Sequence, residues 1–504
     1  MNINELPVEM LEHIFQFLQF RHLKIASTVC RQWNQAAFSW PNLLKVKLIF
    51  GSDNICERTI PALEITHQRR YRNITFSFRD AQADQPLVHH FCKVLQEFQK
   101  SLESLEIDWH VQDAALDLLM LAKLLKYAPG LKELFVYDYT NAEFTHDPSC
   151  SLHFAPMMFL DKVRLPHSVM GDVRFNFAQF APNVTHVDVK FDGRHPWDSI
   201  RALQEQLCAL GIDTATQGNF KHLWSMEPRK LRKLELNRND CDFIMPNDVK
   251  PRSIGNFFQH CSALTVLMLE LKVPMEVYQI VADSCLQLES LLVSEIDDGW
   301  EFLSIVQHSK KLRRLIIVKT FFDSNQRYIR TTRLPNVQNL TIEFPEIYDT
   351  SRFFDQLNLL LPNIRTFQLT QYNKFLEYSF NLKILQALFR SKMQRLEKLI
   401  LFDTGADFPS HLFNQLNLFP RLNEFWLTCE ALAPWSRSAI VPGVRSLAVN
   451  AKISKFQLQA LLKVFPSLTR LDVPHAEEQP TPGSLNCEVG FCKNGFCLES
   501  YGSL

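Results

Sequence analysis

The sequence predicts an α/β solenoid, with parallel strands on its concave side and helices on its convex side, entered through three short N-terminal helices. Three observations predict it. A six-residue heart, apolar-x-x-apolar-x-apolar, recurs to about residue 473, mostly at intervals of about 22–33 residues. A proline-centred approach stands before most copies. Amphipathic stretches of helical period fill the spaces between them.

The heart reads Leu102-x-x-Leu105-x-Ile107, Leu131-x-x-Leu134-x-Val136, Val184-x-x-Val187-x-Val189 and Leu231-x-x-Leu234-x-Leu236. It continues through Leu264/Leu267/Leu269, Leu288/Leu291/Val293, Leu312/Leu315/Ile317 and Val337/Leu340/Ile342. The later copies are Ile364/Phe367/Leu369, Leu396/Leu399/Leu401, Leu422/Phe425/Leu427, Val444/Leu447/Val449 and Leu468/Leu471/Val473. Weaker copies surround Ile74 and Val163. The approach is Ala181-Pro-Asn-Val, Leu334-Pro-Asn-Val, Leu361-Pro-Asn-Ile or a variant. Proline stops the preceding helix, and a strand begins two residues on. Cys261 and Cys285 take the apolar slot of that frame in two repeats. Stretches such as Phe91–Phe98, Leu116–Leu125, Tyr278–Ala282 and Leu458–Val464 fit short helices.

The repeats are uneven. Val184 and Leu231 stand about 47 residues apart, which predicts a bulky insertion near residues 191–230. Within it a helix is expected, with Asp198 as N-cap, Ile200, Leu203, Leu207 and Leu210 on one face, and Gly211 at its C-terminal end. Only Asn239 stands where an asparagine would end the strand motif, so no regular asparagine ladder is expected. The solenoid thus spans about residues 41–474. Residues 475–504 are rich in Pro, Glu, Gln and Gly at their start and read as a disordered tail.

The N-terminal stretch Leu6–Trp33, LPVEMLEHIFQFLQFRHLKIASTVCRQW, is denser in apolar residues than a solenoid cap requires. Leu6-Pro7 opens a helix, since proline is well placed in the first turn. Leu11, Ile14, Phe15 and Leu18 follow at i, i+3, i+4 and i+7, while Met10 and Phe17 fall off that stripe. A helix apolar on more than one side, in a unit of about forty residues, has a face it cannot bury by itself.

These residues resemble the F-box, the motif that docks substrate receptors onto the Skp-type adaptor of cullin–RING ubiquitin ligases. The family pattern runs Leu-Pro-x-Glu, Ile-Phe, Leu and Val-Cys-x-x-Trp. Here it is met by Leu6-Pro7, Glu9, Ile14-Phe15, Leu18, Leu23, Val29-Cys30 and Trp33. The repeats resemble the irregular, partly cysteine-containing leucine-rich repeats of F-box receptors. The resemblance implies an F-box at residues 1–40 that holds the adaptor and, through it, a cullin and a RING protein. The solenoid would then capture a protein target, with no catalytic residue and no cofactor in this chain. Leu6, Pro7, Ile14, Phe15, Leu18 and Leu23 are the expected adaptor contacts, with Val29, Cys30 and Trp33 completing the pattern. Glu9 lies near a helix N-terminus, where its charge suits the macrodipole. Two other readings are a leucine-rich-repeat scaffold outside ubiquitination, and an inhibitor or recognition protein whose first helices only cap the solenoid.

Composition narrows the function classes. The 54 Lys and Arg balance 54 Asp and Glu, so there is no basic excess of the kind nucleic-acid binding leaves. No apolar run is long enough to span a membrane, and the N-terminus has no signal-peptide pattern. Twelve cysteines scattered through apolar surroundings point to a reducing compartment, cytosol or nucleus. Forty phenylalanines against 14 glycines suit a long layered core and disfavour Gly-rich phosphate loops. No G-x-S-x-G, G-x-x-x-x-G-K-[ST], H-E-x-x-H or C-x-x-C occurs. Cys487, Cys492 and Cys497 stand five apart, too far for the paired spacing of structural zinc, and the adjacent His89 and His90 point in different directions. No metal is expected.

Alternation places the residues between the apolar strand positions on the concave face. Early repeats set Ser104, Glu106, Asp108, Glu133, Phe135 and Tyr137 there, and Lys233, Glu235 and Asn237 follow. The middle turns apolar, with Val266, Met268, Leu292, Ile316 and Val318, bordered by Arg313 and Arg314. Exposed apolar patches of this kind mark interaction sites. Met268, Leu292 and Ile316 are therefore the expected target-docking surface, with Arg314 beside it for acidic groups and Phe402 and Trp426 as an outer anchor. A strand register one residue off would instead make them core.

Overall fold

The computed structural model describes residues 3–43, 46–51, 70–78, 85–110, 118–138, 154–166, 169, 175–191, 197–214, 220–238, 251–322, 333–343, 346–347, 350–370, 382–391, 393–402, 408–433, 440–475 and 488–490. It divides into two compact units, Met1–Leu231 with Arg238–Cys241, and Arg232–Asn237 with Asp242–Leu504.

The first unit opens with helices α1 (Val8–Phe15), α2 (Phe20–Ala26), α3 (Arg31–Ala37) and the single turn α4 (Trp40–Leu43). Pro7 is the N-cap residue of α1, and its carbonyl accepts from the N–H groups of Met10 and Leu11. Cys30 caps α3, its Sγ accepting from the Trp33 N–H at 3.5 Å. Leu11, Phe15, Leu23, Ala26, Ala36 and Ala37 form the core of this domain, and Leu6, Val8, Leu18, Trp33 and Phe38 pack against it. Buried Asn42 ties α3 to α4 through a 2.8 Å bond from its Nδ2 to the Ala36 carbonyl.

Seven parallel strands follow in this unit: β1 (Lys47–Gly51), β2 (Asn73–Phe78), β3 (Ser104–Trp109), β4 (Glu133–Asp138), β5 (Lys162–Leu165), β6 (His186–Phe191) and β7 (Ala209–Thr214). Each pairs with the next in sequence. One register row runs from Phe50 through Phe76 and Ile107 to Val136, and another from Leu165 through Val189 to Ile212, all of them buried. The two weaker hearts are ordinary members of the ladder, at Ile74 in β2 and Val163 in β5.

The expected insertion is instead a complete repeat. The helix covers only Trp197–Ala202, and Leu210 and Gly211 lie in β7, where Leu210 pairs in register with Val187. The heart is Leu207-x-x-Leu210-x-Ile212, all three buried. Leu203, Leu207 and Leu210 satisfy a helical period and Leu207, Leu210 and Ile212 the strand motif, so local pattern does not decide between them. Pairing decides it, because the Thr185 carbonyl accepts from both Cys208 and Ala209 N–H groups, at 2.8 and 3.1 Å. Gly211 is no helix end; a Cβ there would stand 3.0 Å from Asp188 Oδ1.

The second unit carries β8 (Lys233–Arg238), β9 (Val266–Leu269), β10 (Ser290–Ile296), β11 (Arg314–Phe322), β12 (Asn339–Glu343), β13 (Glu346–Ile347), β14 (Thr366–Thr370), β15 (Lys398–Phe402), β16 (Glu424–Ala431), β17 (Ser446–Lys452), β18 (Arg470–Asp472) and β19 (Glu488–Gly490). All the pairings described are parallel, and β13 pairs with the far end of β11 as a small separate sheet. Helices such as Pro251–His260, Met275–Ser284 and Lys455–Val464 join the strands, as parallel pairing requires.

One hydrogen-bond pattern repeats at the start of nearly every strand. The Arg232 carbonyl accepts from the N–H groups of Thr265 and Val266, at 2.8 and 3.0 Å. The Thr265 carbonyl does the same for Glu289 and Ser290, and the Glu289 carbonyl for Arg313 and Arg314. Arg72, Glu103 and Lys132 play this part in the first unit. This main-chain ladder links neighbouring repeats where an asparagine ladder is not expected; Asn239 lies outside the described residues. The asparagines of the Pro-Asn approach reinforce it: the Asn183 and Asn363 amides donate to the Met158 and Pro335 carbonyls, at 2.9 and 2.6 Å.

Residues 488–490 of the expected disordered tail form β19, paired with β18. The rest of that segment after His475 lies outside the described residues.

Gly299 begins a helix that packs under the rings of Trp300, Phe322 and Phe353, whose centroids are 4.8–5.5 Å apart. A Cβ at Gly299 would lie 2.3 Å from a Phe322 ring carbon, closer than any real contact. Gly299→Ala is expected to destabilise the second unit by about 1–3 kcal/mol, the usual penalty for overpacking. Urea unfolding checks it, since the midpoint should fall with the slope unchanged.

Candidate functional site

The N-terminal helices present two apolar faces, and only one is covered. Phe17 is 78% exposed, Ile25 59%, Val29 54%, Met10 51% and Ile14 38%. Leu11 and Phe15, from the same helix as Met10 and Ile14, are buried against α3, where Phe15 meets the Trp33 ring edge-on at 5.3 Å. Helical geometry explains the split: Leu11 and Phe15 are four apart on one face, while Met10, Ile14 and Phe17 run at i, i+4, i+7 on the other.

The sequence-expected contacts therefore separate into groups. Pro7, Glu9, Ile14, Val29 and Cys30 are exposed, and Leu6, Leu18 and Trp33 are half-buried. Phe15 and Leu23 are not available as contacts, because at 2% and 3% exposure they hold the helices together. Met10, Phe17 and Ile25 join the exposed face. Met10 and Phe17 carry a signal in the sequence, as apolar residues off the α1 stripe, whereas Ile14, expected on the stripe with Leu11 and Phe15, is exposed instead.

The helix-free face of the second unit is a set of register rows. One runs Glu235, Met268, Leu292, Ile316, Thr341 and Gln368, then through Ile400 and Trp426 to Ala448. The expected alternation holds, since Met268, Leu292 and Ile316 form a cluster with Val266 and Val318 on the face opposite Leu267, Leu291 and Leu315. The expected exposure does not: the three are 1–3% exposed. Side chains in register on parallel strands lie about 4.8 Å apart, so the three pack side by side and against Val266 and Val318. Met268, Leu292 and Ile316 are a second, small core. Leu292→Ala is expected to cost about 2–5 kcal/mol in stability, read by thermal unfolding, the usual loss for a buried leucine.

Arg314, Phe402 and Trp426 remain half-buried and accessible at this face. Lys398 lays its ammonium 3.8 Å from the Trp426 ring centroid and also bonds the Glu424 carboxylate at 2.9 Å. The ring is thus held by a cation–π contact with its ammonium itself anchored.

The same face of the first unit is polar and internally paired. Lys47 meets Glu106 at 2.7 Å, Lys162 meets Glu133 at 2.9 Å and Arg164 meets Asp188 at 3.3 Å. The Arg164 guanidinium also lies 4.6 Å from the Tyr137 ring centroid. The hydrogen bond from Glu133 raises the Lys162 pKa. Pairs this exposed add little stability.

Among the described residues no group of three His, Cys, Asp or Glu is placed to hold a metal. Cys487, Cys492 and Cys497 lie outside them. His89 is exposed and His90 half-buried, with their ring centroids 6.3 Å apart. No described helix is long and apolar enough to cross a membrane. Burial pushes the Cys285 thiol up to about 12 and raises that of Cys261 as well. Thiolate is the reactive form, so both are expected to resist thiol reagents near neutral pH until the fold opens. Their labelling should track the unfolding curve.

Residues 3–43 match the family model described as F-box-like. No curated protein matches this chain. Solved structures with detectable likeness include an internalin from Listeria monocytogenes, at 12% identity and TM-score 0.35, over 66% of this chain and 93% of that one. The yeast Rad7–Elc1 complex aligns at 12% identity and TM-score 0.37, over 96% of this chain and 92% of its own. A leucine-rich-repeat protein of Leptospira interrogans aligns at 14% identity and TM-score 0.31, over 84% and 91%. Residues 3–43 are thus an F-box-like domain, followed by parallel-strand repeats that resemble a leucine-rich-repeat solenoid.

Proposed function

We propose that this chain is the target-recognition subunit of a Skp–cullin–F-box ubiquitin ligase. The observation that carries the reading is the uncovered apolar face of the F-box-like domain. Met10, Ile14 and Phe17 recur at i, i+4 and i+7 along α1 and its exit, and Ile25 and Val29 are exposed on α2 and its exit; so many large apolar groups left exposed in one small domain mark a protein interface. In this reading the face holds the Skp-type adaptor, which brings the cullin and the RING protein. Phe15 and Leu23 act from behind, fixing the helix angles that set the face.

The repeats hold the protein target. Phe402, Trp426 and Arg314 are contacts offered by the second unit, and the Lys162–Glu133 and Arg164–Asp188 pairs are those offered by the first. The chain carries out no bond-making step itself. It raises the effective concentration of the target near a conjugating enzyme that the ligase recruits elsewhere. Cytosol or nucleus is the compartment, in keeping with described cysteines that are all free thiols.

Ile14→Asp with Phe17→Asp tests the reading. Both side chains are exposed, so folding is expected to survive, and the circular dichroism spectrum should match that of wild type. Burying each is worth about 1.5–3 kcal/mol, so losing both should weaken adaptor binding by about a hundredfold or more. Adaptor and cullin should co-purify with wild type and vanish with the variant. If neither accompanies folded wild-type protein, the ligase reading fails.

A further inference from the structure

We propose that the strand-start edge of the second unit is a docking strip for an acidic, extended segment of a protein, whose Asp and Glu carboxylates meet Arg313, Arg365 and Arg445. The inference rests on the reading that the repeats hold the target, and it is independent of the F-box-like face.

The main-chain ladder builds the strip. The residues whose carbonyls carry it form one column, from Arg232 through Arg313 and Arg365 to Arg445. The residues that follow them form a second column by register, from Lys233 through Arg314 and Lys398 to Arg470. In these two columns the eight basic residues just named face only three acidic ones, Glu289, Glu397 and Glu424. The two-residue turns that lead into the columns add Lys310, Lys311, Arg395 and Arg421, and no carboxylate. The whole chain is balanced, at 54 against 54, so this excess is a local segregation of charge.

In the first unit the cations of the same columns are already paired. Glu103 takes both Arg72 and Lys132, at 2.7 and 3.1 Å, and Glu133 takes Lys162 at 2.9 Å. In the second unit Glu397 reaches Arg365 at 3.7 Å and Glu424 holds Lys398 at 2.9 Å. Arg232, Arg313 and Arg445 are exposed and, among the described residues, enter no ion pair. Like charges gathered in this way repel one another and attract a partner of opposite sign.

Spacing and composition select the occupant. Neighbouring strands lie about 4.8 Å apart, which puts Arg313 about 10 Å from Arg365, and Arg365 about 14 Å from Arg445. An extended peptide advances about 3.3 Å per residue, so it meets them with carboxylates about three and then four residues apart. A nucleic-acid strand fits less well. It carries a phosphate on every nucleotide, so some would face Glu289, Glu397 and Glu424. Neither column offers an aromatic ring on which bases could stack, and Trp426 in the adjoining row already carries the Lys398 ammonium at 3.8 Å. A peptide is free to set an uncharged residue beside each glutamate.

Peptide selection tests this on the full chain. A random twelve-residue library displayed on phage is panned against wild type and against a triple variant, Arg313→Glu, Arg365→Glu and Arg445→Glu. All three side chains are exposed, so the circular dichroism of the variant should match that of wild type. Wild type should enrich peptides bearing several Asp or Glu, and the variant should enrich Lys and Arg instead. A peptide selected on wild type, resynthesised with a fluorescent label, should bind the variant about tenfold or more weakly and lose affinity as salt rises. Absence of acidic enrichment on wild type overturns the strip, and so does equal binding to the variant. A thymidine dodecamer that binds wild type as tightly as the selected peptide overturns the peptide in favour of a nucleic-acid strand. Where the triple variant fails to fold, Arg313→Gln with Arg445→Gln carries the test through the loss of binding alone. Adaptor co-purification with wild type and variant should be equal. An adaptor missing from wild type sinks the ligase reading, whereas an adaptor retained without acidic selection sinks the strip alone.

Discussion

Everything in this protein hangs on one interaction between neighbours: a carbonyl just before one strand accepts two N–H groups from the start of the next. A single repeat cannot bury its own apolar face, so it is stable only when stacked. The ladder fixes where stacking begins, and from that point the strand period of two does the rest. Leu267, Leu291 and Leu315 align because Val266, Ser290 and Arg314 are held first. A slip of one residue would turn every heart outward, which makes the register self-enforcing. Variable spacing is tolerated for the same reason. The extra residues between Leu231 and Leu264 lengthen the crossover and leave the strands untouched.

Strict register also determines what the helix-free face is able to display. Small differences in side chain produce large differences in character, because each row brings like positions together. In the second unit three large apolar residues meet in one buried cluster. In the first unit the same rows bring lysine and arginine against glutamate and aspartate. The two units thus offer different chemistry from one backbone plan: an ordered array of charge in the first, and a ridge carrying Trp426 beside a sealed apolar strip in the second.

The N-terminal domain follows a different rule. Its core is small, built from six buried residues and their half-buried neighbours. Helix α1 carries more apolar side chains than that core accommodates, so Met10 and Ile14 are left exposed. Such a surface is costly for an isolated domain and useful only in an assembly. The buried side sets the helix geometry while the other side stays exposed, so Phe15 and Ile14, adjacent in sequence, differ in burial.

By itself the sequence determined the solenoid plan, the positions of nearly all its strands, and an N-terminal helical unit with a surplus apolar face. These are legible because local pattern carries them: the heart is a strand period, the Pro-x approach is a helix stop, and α1 has apolar residues on two sides. Only tertiary structure decided that Leu207, Leu210 and Ile212 are a repeat, since both periods fit those leucines and pairing with β6 alone chooses between them. It also decided that Met268, Leu292 and Ile316 are covered, that Phe15 and Leu23 face inward, and that residues 488–490 join the last repeat. Each of these depends on which neighbour arrives from another part of the chain. Alternation tells which face a side chain takes; only the packed neighbours tell whether that face meets water.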